Sequence, residues 1–270
     1  MLELYHSEPN TFFLKPLIAL HEKRAVFQSH WFDSDALEQF SLGFSGDVEA
    51  HLHLEREGPL LLHEGTLISN SFFMLEYIAE ALPGEALMPE DAFDRYRAHA
   101  SGQFLGAQLG SLVPILGCVK YLVPRLLARD RARLDAVLSE VGPLERRHAW
   151  TALLDGTYTP QILATARERL KFPVARVESQ LALGSWLAGP RYSIADIDAF
   201  AMLRVIPDLA PEVVNSSATP RIIEYLERIA ARPAVRAALA MSRSGTPERH
   251  FVPGVEPSRW GWSVRHRLPT

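Results

Sequence analysis

Leu2 and Leu4 alternate with Glu3 and Tyr5, the period of two that predicts a strand, and Ser7-Glu8-Pro9-Asn10 behind them is a turn cluster. Leu14, Leu17, Ile18 and Ala19 then fall on one helical face, which predicts a helix over 14–22. Pro16 lies early in that helix, where a missing N–H costs least. Val26 to Trp31 reads as the next strand, joined through the helix in a β-α-β unit. Leu60–His63 and Thr66–Ile68 flank Glu64-Gly65, an acidic-Gly pair that predicts a tight hairpin turn. Ser71 opens a helical stretch over 72–82, closed by Pro83-Gly84. Strand, helix, strand, hairpin and helix in that order predict a small α/β domain.

Pro83 to Asp91, rich in Pro, Gly and Glu, reads as a linker, and beyond it only helical patterns recur. They cover Phe93–Leu127, Ala132–Leu138, Gln161–Leu183, Ile194–Ile206 and Arg221–Ala240, with no internal repeat. Ser193-Ile194-Ala195-Asp196 has a Ser N-cap with an acid three positions on, a capping-box variant and a folding device rather than a site. From Thr246 the chain carries three prolines before Pro269, together with Trp260, Trp262, Arg259, Arg265 and Arg267. The preferred expectation is an extended strap that docks its tryptophans on its own domain. The sharper one is a cover for a substrate pocket or a dimer contact, since Trp and Arg are typical anchors.

The 270 residues are 47% hydrophobic and 22% charged, enough for a sizeable core. A net charge of −4 argues against nucleic acid and against a polybasic membrane surface. Cys118 is the single cysteine, which excludes an internal disulfide and suits a reducing cytoplasm; in an apolar helix it reads as packing. No signal peptide is expected, because the chain opens on the strand-like run Leu2-Glu3-Leu4-Tyr5 with no basic region followed by an apolar stretch, and no membrane span, because the apolar run 112–123 is short and interrupted by Pro114, Gly117 and Lys120. His51 and His53 share a face of an extended segment, but no third ligand stands near them, so a solvated loop is expected and no metal. Arg129 to Arg133 reads as a solvated charged face.

Three local features resemble the glutathione transferase superfamily. Glu57-Gly58-Pro59 before the hairpin stands where that superfamily has its cis-proline, and Asn70-Ser71 where it has an acid-Ser pair. Ser193 to Asp196 matches its helix-capping motif. From about residue 2 to about 244 the chain further resembles the bacterial glutathione-dependent β-etherases, which cleave β-aryl ether bonds of lignin-derived aromatics. That match rests on Leu4-Tyr5, Leu14-Lys15-Pro16-Leu17 with Leu20-His21-Glu22-Lys23, and His63-Glu64-Gly65. Glu76-Tyr77, Tyr192 to Asp196, and Thr219-Pro220 with Ala231-Arg232-Pro233-Ala234 continue it. The resemblance implies a thioredoxin-like N-terminal domain over 1–84, a linker over 85–92, an all-helical domain over 93–245 and an extended tail over 246–270. Glutathione is then the implied co-substrate, and dimerisation is implied with it.

The chemistry requires a thiolate, held by a hydroxyl or amide donor at the N-terminus of the first helix. The β-etherase relatives carry Ser or Asn in the two positions before Leu-Lys-Pro; here those positions are Phe12 and Phe13, and neither donates a hydrogen bond. Thr11 is the nearest hydroxyl, with Ser7 and Asn10 farther back, and it is either the thiol's donor or, by preference, a turn or N-cap residue. The stretch His53-Leu54-Glu55-Arg56-Glu57-Gly58-Pro59 keeps only the final proline of the family's Asn-Pro-x-Gly-x-Val-Pro, and a cis peptide at Pro59 is expected to persist with the turn. Asn70 replaces the acid that would pair the peptide's ammonium group, while Ser71 and its helix N-terminus can still hold a carboxylate.

Gly58, Pro59, Asn70 and Ser71 are therefore the candidate glutathione-binding residues and Thr11 the candidate catalytic one. Three functions compete. One is a structural or weakly catalytic β-etherase subunit paired with a catalytic transferase-like paralogue, which binds the glutathione. Another is an active homodimer using Thr11 on aromatic ethers. The last is a non-enzymatic ligand-binding or scaffold protein of the same fold.

Overall fold

The computed structural model describes residues 1–40, 42, 58–141 and 144–254. β1 (Leu2–His6) pairs in parallel with β2 (Gln28–Trp31) and antiparallel with β3 (Leu60–His63), which pairs antiparallel with β4 (Thr66–Ile68), giving the order β2-β1-β3-β4. Glu64 and Gly65 both take positive φ, 51° and 81°, as a two-residue primed turn requires. β2 begins two residues later than the apolar pattern suggests, because Val26 is fully exposed and joins no ladder.

α1 (Thr11–Glu22) and α2 (Ser71–Ala81) bury Leu14, Leu17, Ile18, Leu75 and Ile78 in one core with Leu4 and Leu61 of the sheet. Leucines and isoleucines at i, i+3, i+4 spacing make that face. Burying each fully contributes roughly 1.5–3 kcal/mol.

The helical half starts with α3 (Ala92–Gly117), capped by Asp91, whose carboxylate accepts from Phe93 N and Asp94 N. A π-helical segment, Cys118–Leu122, continues it into α4 (Val123–Leu127). The apolar stretch in this 36-residue run, mean hydropathy 1.4, is 61% buried inside the fold, as in a core helix. α5 (Arg131–Ser139), α6 (Leu144–Leu154) and α7 (Pro160–Leu181) follow. α6 was not legible because Glu145, Arg146, Arg147 and His148 break its apolar stripe.

α8 (Ile194–Leu203) is buried along its whole length, and the short α9 (Ile206–Leu209) follows it. The helix expected over 221–240 is two, α10 (Pro220–Ala230) and α11 (Pro233–Leu239). Pro233 disfavours helical backbone at Arg232, which sits extended at φ −67°, ψ 137°.

α8 is the keystone. Its N-terminus is a complete capping box: Ala195 N donates to Ser193 Oγ at 3.3 Å and Ser193 N donates to Asp196 Oδ2 at 2.9 Å. On its other face Asp198 meets Lys15 of α1 at 2.6 Å, with both side chains buried. The sheet half and the helical half share one core through this helix.

Candidate functional site

Strand directions bring the candidate residues to one end of the sheet. β1 runs outward to His6, and Leu60 lies opposite Tyr5, so Gly58-Pro59 approach the same end from which Ser7–Asn10 leave for α1. β4 returns to that end at Ile68, opposite Leu61, and Asn70-Ser71 start α2 there. Two helix N-termini, those of α1 and α2, thus follow strands that finish on one side. Such ends carry unpaired N–H groups and a positive partial charge, suited to carboxylates and a thiolate.

At α2 the side chain of Asn70 caps the helix, its Oδ1 accepting from Phe72 N at 3.0 Å and Phe73 N at 3.3 Å. Asn70 takes φ 68°, which Asn tolerates better than most residues, and it is exposed. Ser71 is buried in the first turn. The cap leaves no net negative charge at this end.

At α1 the arrangement differs. Asn10 stands at the N-cap position but caps nothing with its side chain. Its Nδ2 instead donates to His250 O and its Oδ1 accepts from Arg204 Nη1, both at 2.8 Å. Burial pulls the Arg204 guanidinium down to about 10, with Glu248 acting against the shift.

Thr11 is neither N-cap nor free turn: it is the first helical residue, 1% exposed, at φ 40°. A β-branched residue in the left-handed region stores roughly 1–3 kcal/mol, which the anchored Asn10 beside it sustains. Phe13 is buried against Phe32 edge to face, and Lys15 lies over the half-buried Phe12 ring at 5.4 Å.

Among the described residues no peptide bond is cis, so Gly58–Pro59 departs from the expected cis form. The trans isomer is the ground state by roughly 0.5–1 kcal/mol, and among the described residues nothing lies within 4 Å of where a Cβ on Gly58 would stand. The residues 53–57 ahead of it, the His51/His53 pair, and Trp260, Trp262, Arg259, Arg265 and Arg267 of the tail lie outside the described residues. No group of three metal-ligating side chains occurs among the described residues.

Polar groups behind the loop are tied down. His6 Nδ1 meets Ser7 O and its Nε2 meets Ser29 Oγ, each at 2.7 Å, and burial lowers its pKa. Ser7 Oγ donates to Ser34 Oγ at 2.9 Å. Arg125 holds the buried Asp35 at 2.5 Å, and Arg129 meets Asp33 at 3.2 Å. Arg129 to Arg133 is exposed along its length, as expected of a solvated charged face; within it Arg129 meets Asp33 of the sheet half, Asp130 caps α5 and Arg131 pairs with Asp135 and Asp155. The cavity of about 240 Å³ between the linker and Pro190–Ser193 has none of the candidate residues in its lining.

Sequence reasoning missed Glu8 and Arg204. Arg204 was detectable as the lone charge in the apolar run from Ala199 to Ile206, a pattern that only a partnered or functional charge tolerates. Glu8 gave no signal, being one more polar residue in a turn cluster.

A thioredoxin-like sheet with α1 and α2, joined to a helical bundle through a capped central helix, is the architecture of the glutathione transferases, and residues 143–233 match the glutathione S-transferase C-terminal domain. The chain thus has the glutathione transferase fold, with a C-terminal domain that matches that family's model. The chain is similar to Protein LigF of Sphingobium sp. strain SYK-6, 26% identical over 243 residues that span 87% of this chain and 91% of that protein. The crystal structure of the β-etherase LigF superposes with a TM-score of 0.80 at 25% identity, over 89% of this chain and 99% of the other. Glutathione transferase F7 of Populus trichocarpa shares the fold, with a TM-score of 0.68 at 19% identity over 93% of this chain and 100% of that one.

Proposed function

We propose that this chain is a subunit of a glutathione-dependent β-etherase acting on lignin-derived β-aryl ethers, and that it is the structural or weakly catalytic partner of an active transferase-like paralogue. The reaction such an assembly performs is a thiolate displacement. The glutathione sulfur forms a C–S bond at the ether-bearing carbon as that carbon's bond to the ether oxygen breaks, and the aryloxide leaves and takes up a proton.

The similarity to LigF supports the substrate class. The observation that carries the reduced role is the N-terminus of α1. The donor positions hold Phe12 and Phe13, and the one hydroxyl beside them, Thr11, is buried at a strained backbone position. Asn70 in place of an acid weakens the hold on the peptide's ammonium group. A charge-assisted hydrogen bond of roughly 1.5–3 kcal/mol falls toward the roughly 1 kcal/mol of a neutral one. Glutathione is then held mainly by the partner, and a cytoplasmic setting supplies it.

The test is turnover of a model β-aryl ether with glutathione, by this chain alone and after mixing with a transferase-like chain that travels with it from the native source. Activity only in the mixture supports the reading. Full activity of the isolated chain, abolished by Thr11→Ala, would replace it with an active homodimer.

A further inference from the structure

Residues 242–254 form a strap that runs back across the N-terminus of α1, and nearly every turn of it is anchored by a dedicated partner. At its start the buried Glu8 carboxylate accepts from Ser242 Oγ at 2.5 Å, Arg243 N at 3.0 Å, Ser244 N at 2.9 Å and Ser244 Oγ at 3.0 Å. Arg243 also lies over the Trp31 ring at 4.4 Å. In the middle, Asn10 donates to His250 O at 2.8 Å and Arg125 to Arg249 O at 3.1 Å. At its end Arg146 donates to Gly254 O at 2.9 Å.

The surface of α3 is shaped to receive it. Phe251 is 1% exposed, lies against Gly117 and stacks on Tyr121 of the π-helical segment, ring planes 6° apart with centroids at 6.2 Å. A methyl group on Gly117 would overlap the Phe251 ring. Gly254 lies so close to Gly110 O and Pro114 that no side chain fits there either. Two small residues seven apart on one helix make a groove that fits this segment, and the π-helical turn sets Tyr121 against its ring.

We propose that this strap is an autoinhibitory closure, which holds the N-terminus of α1 shut and must lift before a thiol peptide can reach the Thr11 hydroxyl. Glu8 and Asn10, the two residues through which the loop holds the strap, lie three and one positions before Thr11. The closure and the strained Thr11 backbone are one device: Asn10 fixes both.

The inference deepens the reading of α1 as the thiol-site helix, yet its test needs no etherase activity. Thr11→Cys in the full chain places a reporter thiol under the strap, and the unsubstituted chain, whose Cys118 is buried, gives the background. The rate of labelling by a small thiol reagent is measured in three backgrounds: unaltered, Glu8→Ala and Gly117→Ala. Glu8→Ala removes four strap hydrogen bonds. Gly117→Ala favours its own helix and places a methyl group against the Phe251 ring, so it opens the strap without emptying the core. Hydrogen exchange at Arg243 and Ser244 reads the strap itself.

Labelling is expected to accelerate roughly tenfold in both variants, the factor carried by about 1.4 kcal/mol, in step with faster exchange at those two amides. Released amides with unchanged labelling would overturn the proposal, because the strap would not be what covers Thr11. Labelling that is already fast in the unaltered background would overturn it too.

Discussion

Asp196 ties three segments together at the start of α8, and its removal should be among the most damaging single changes in the chain. It is 0% exposed. Oδ1 accepts from Leu187 N at 3.0 Å and Tyr225 OH at 3.0 Å, and Oδ2 from Ser193 N at 2.9 Å and Ser193 Oγ at 3.2 Å. Asp196→Ala leaves two buried backbone N–H groups without acceptors, each costing roughly 1–3 kcal/mol, so a loss of about 4 kcal/mol is expected. For a chain of this size that is about 10 °C in Tm.

The pH dependence has a definite sign. Burial raises the folded pKa to about 6 against an ordinary 3.8, the four donors opposing it in part. Between those values the folded state keeps a proton the unfolded state has lost, so this group's contribution is full below about pH 4 and falls as pH rises to 6. The integrated loss is about 3 kcal/mol, flat above pH 6. Thermal and urea unfolding of the unaltered chain, Asp196→Ala and Asp196→Asn, from pH 4 to 7, checks both statements. A loss below about 1 kcal/mol at pH 7 for Asp196→Ala would refute the cap argument. Stability of the unaltered chain that rises relative to Asp196→Asn from pH 4 to 6 would refute the sign.

The remaining predictions concern the joint between the halves and the glutathione end. Lys15→Met strands the buried Asp198 carboxylate and should cost roughly 3–5 kcal/mol, while Lys15→Met with Asp198→Leu should recover most of it, read by urea unfolding. Asn70→Asp keeps the α2 cap and adds charge at its N-terminus, so glutathione binding measured by calorimetry should tighten up to about tenfold. Phe13→Ser restores a hydroxyl but hollows the core beside Phe32, and the chain should lose roughly 3–5 kcal/mol without gaining appreciable turnover.

Most of the sheet half was legible because each element announces itself locally. A two-residue primed turn, an apolar helical face and alternating strand positions are all set by near neighbours. The capping box was legible for the same reason. The break at Pro233 and the start of β2 were set by backbone sterics and pairing that apolar periodicity does not report. The site was half legible. Phe12, Phe13 and Asn70 are visible as substitutions against a family pattern, whereas Glu8, Asn10 and Arg204 acquire meaning only through partners more than 190 positions away. No local pattern encodes a contact between residue 8 and residue 244, so the strap over α1 emerges only with the tertiary structure.

The central claim is that this chain keeps the transferase fold while its own thiol site is weak. It is tested most directly by titrating glutathione into the purified chain, with turnover of a β-aryl ether followed in parallel, alone and with a transferase-like partner. The account predicts weak binding and negligible turnover alone, with activity restored by the partner. Tight glutathione binding and full turnover by the isolated chain would contradict it.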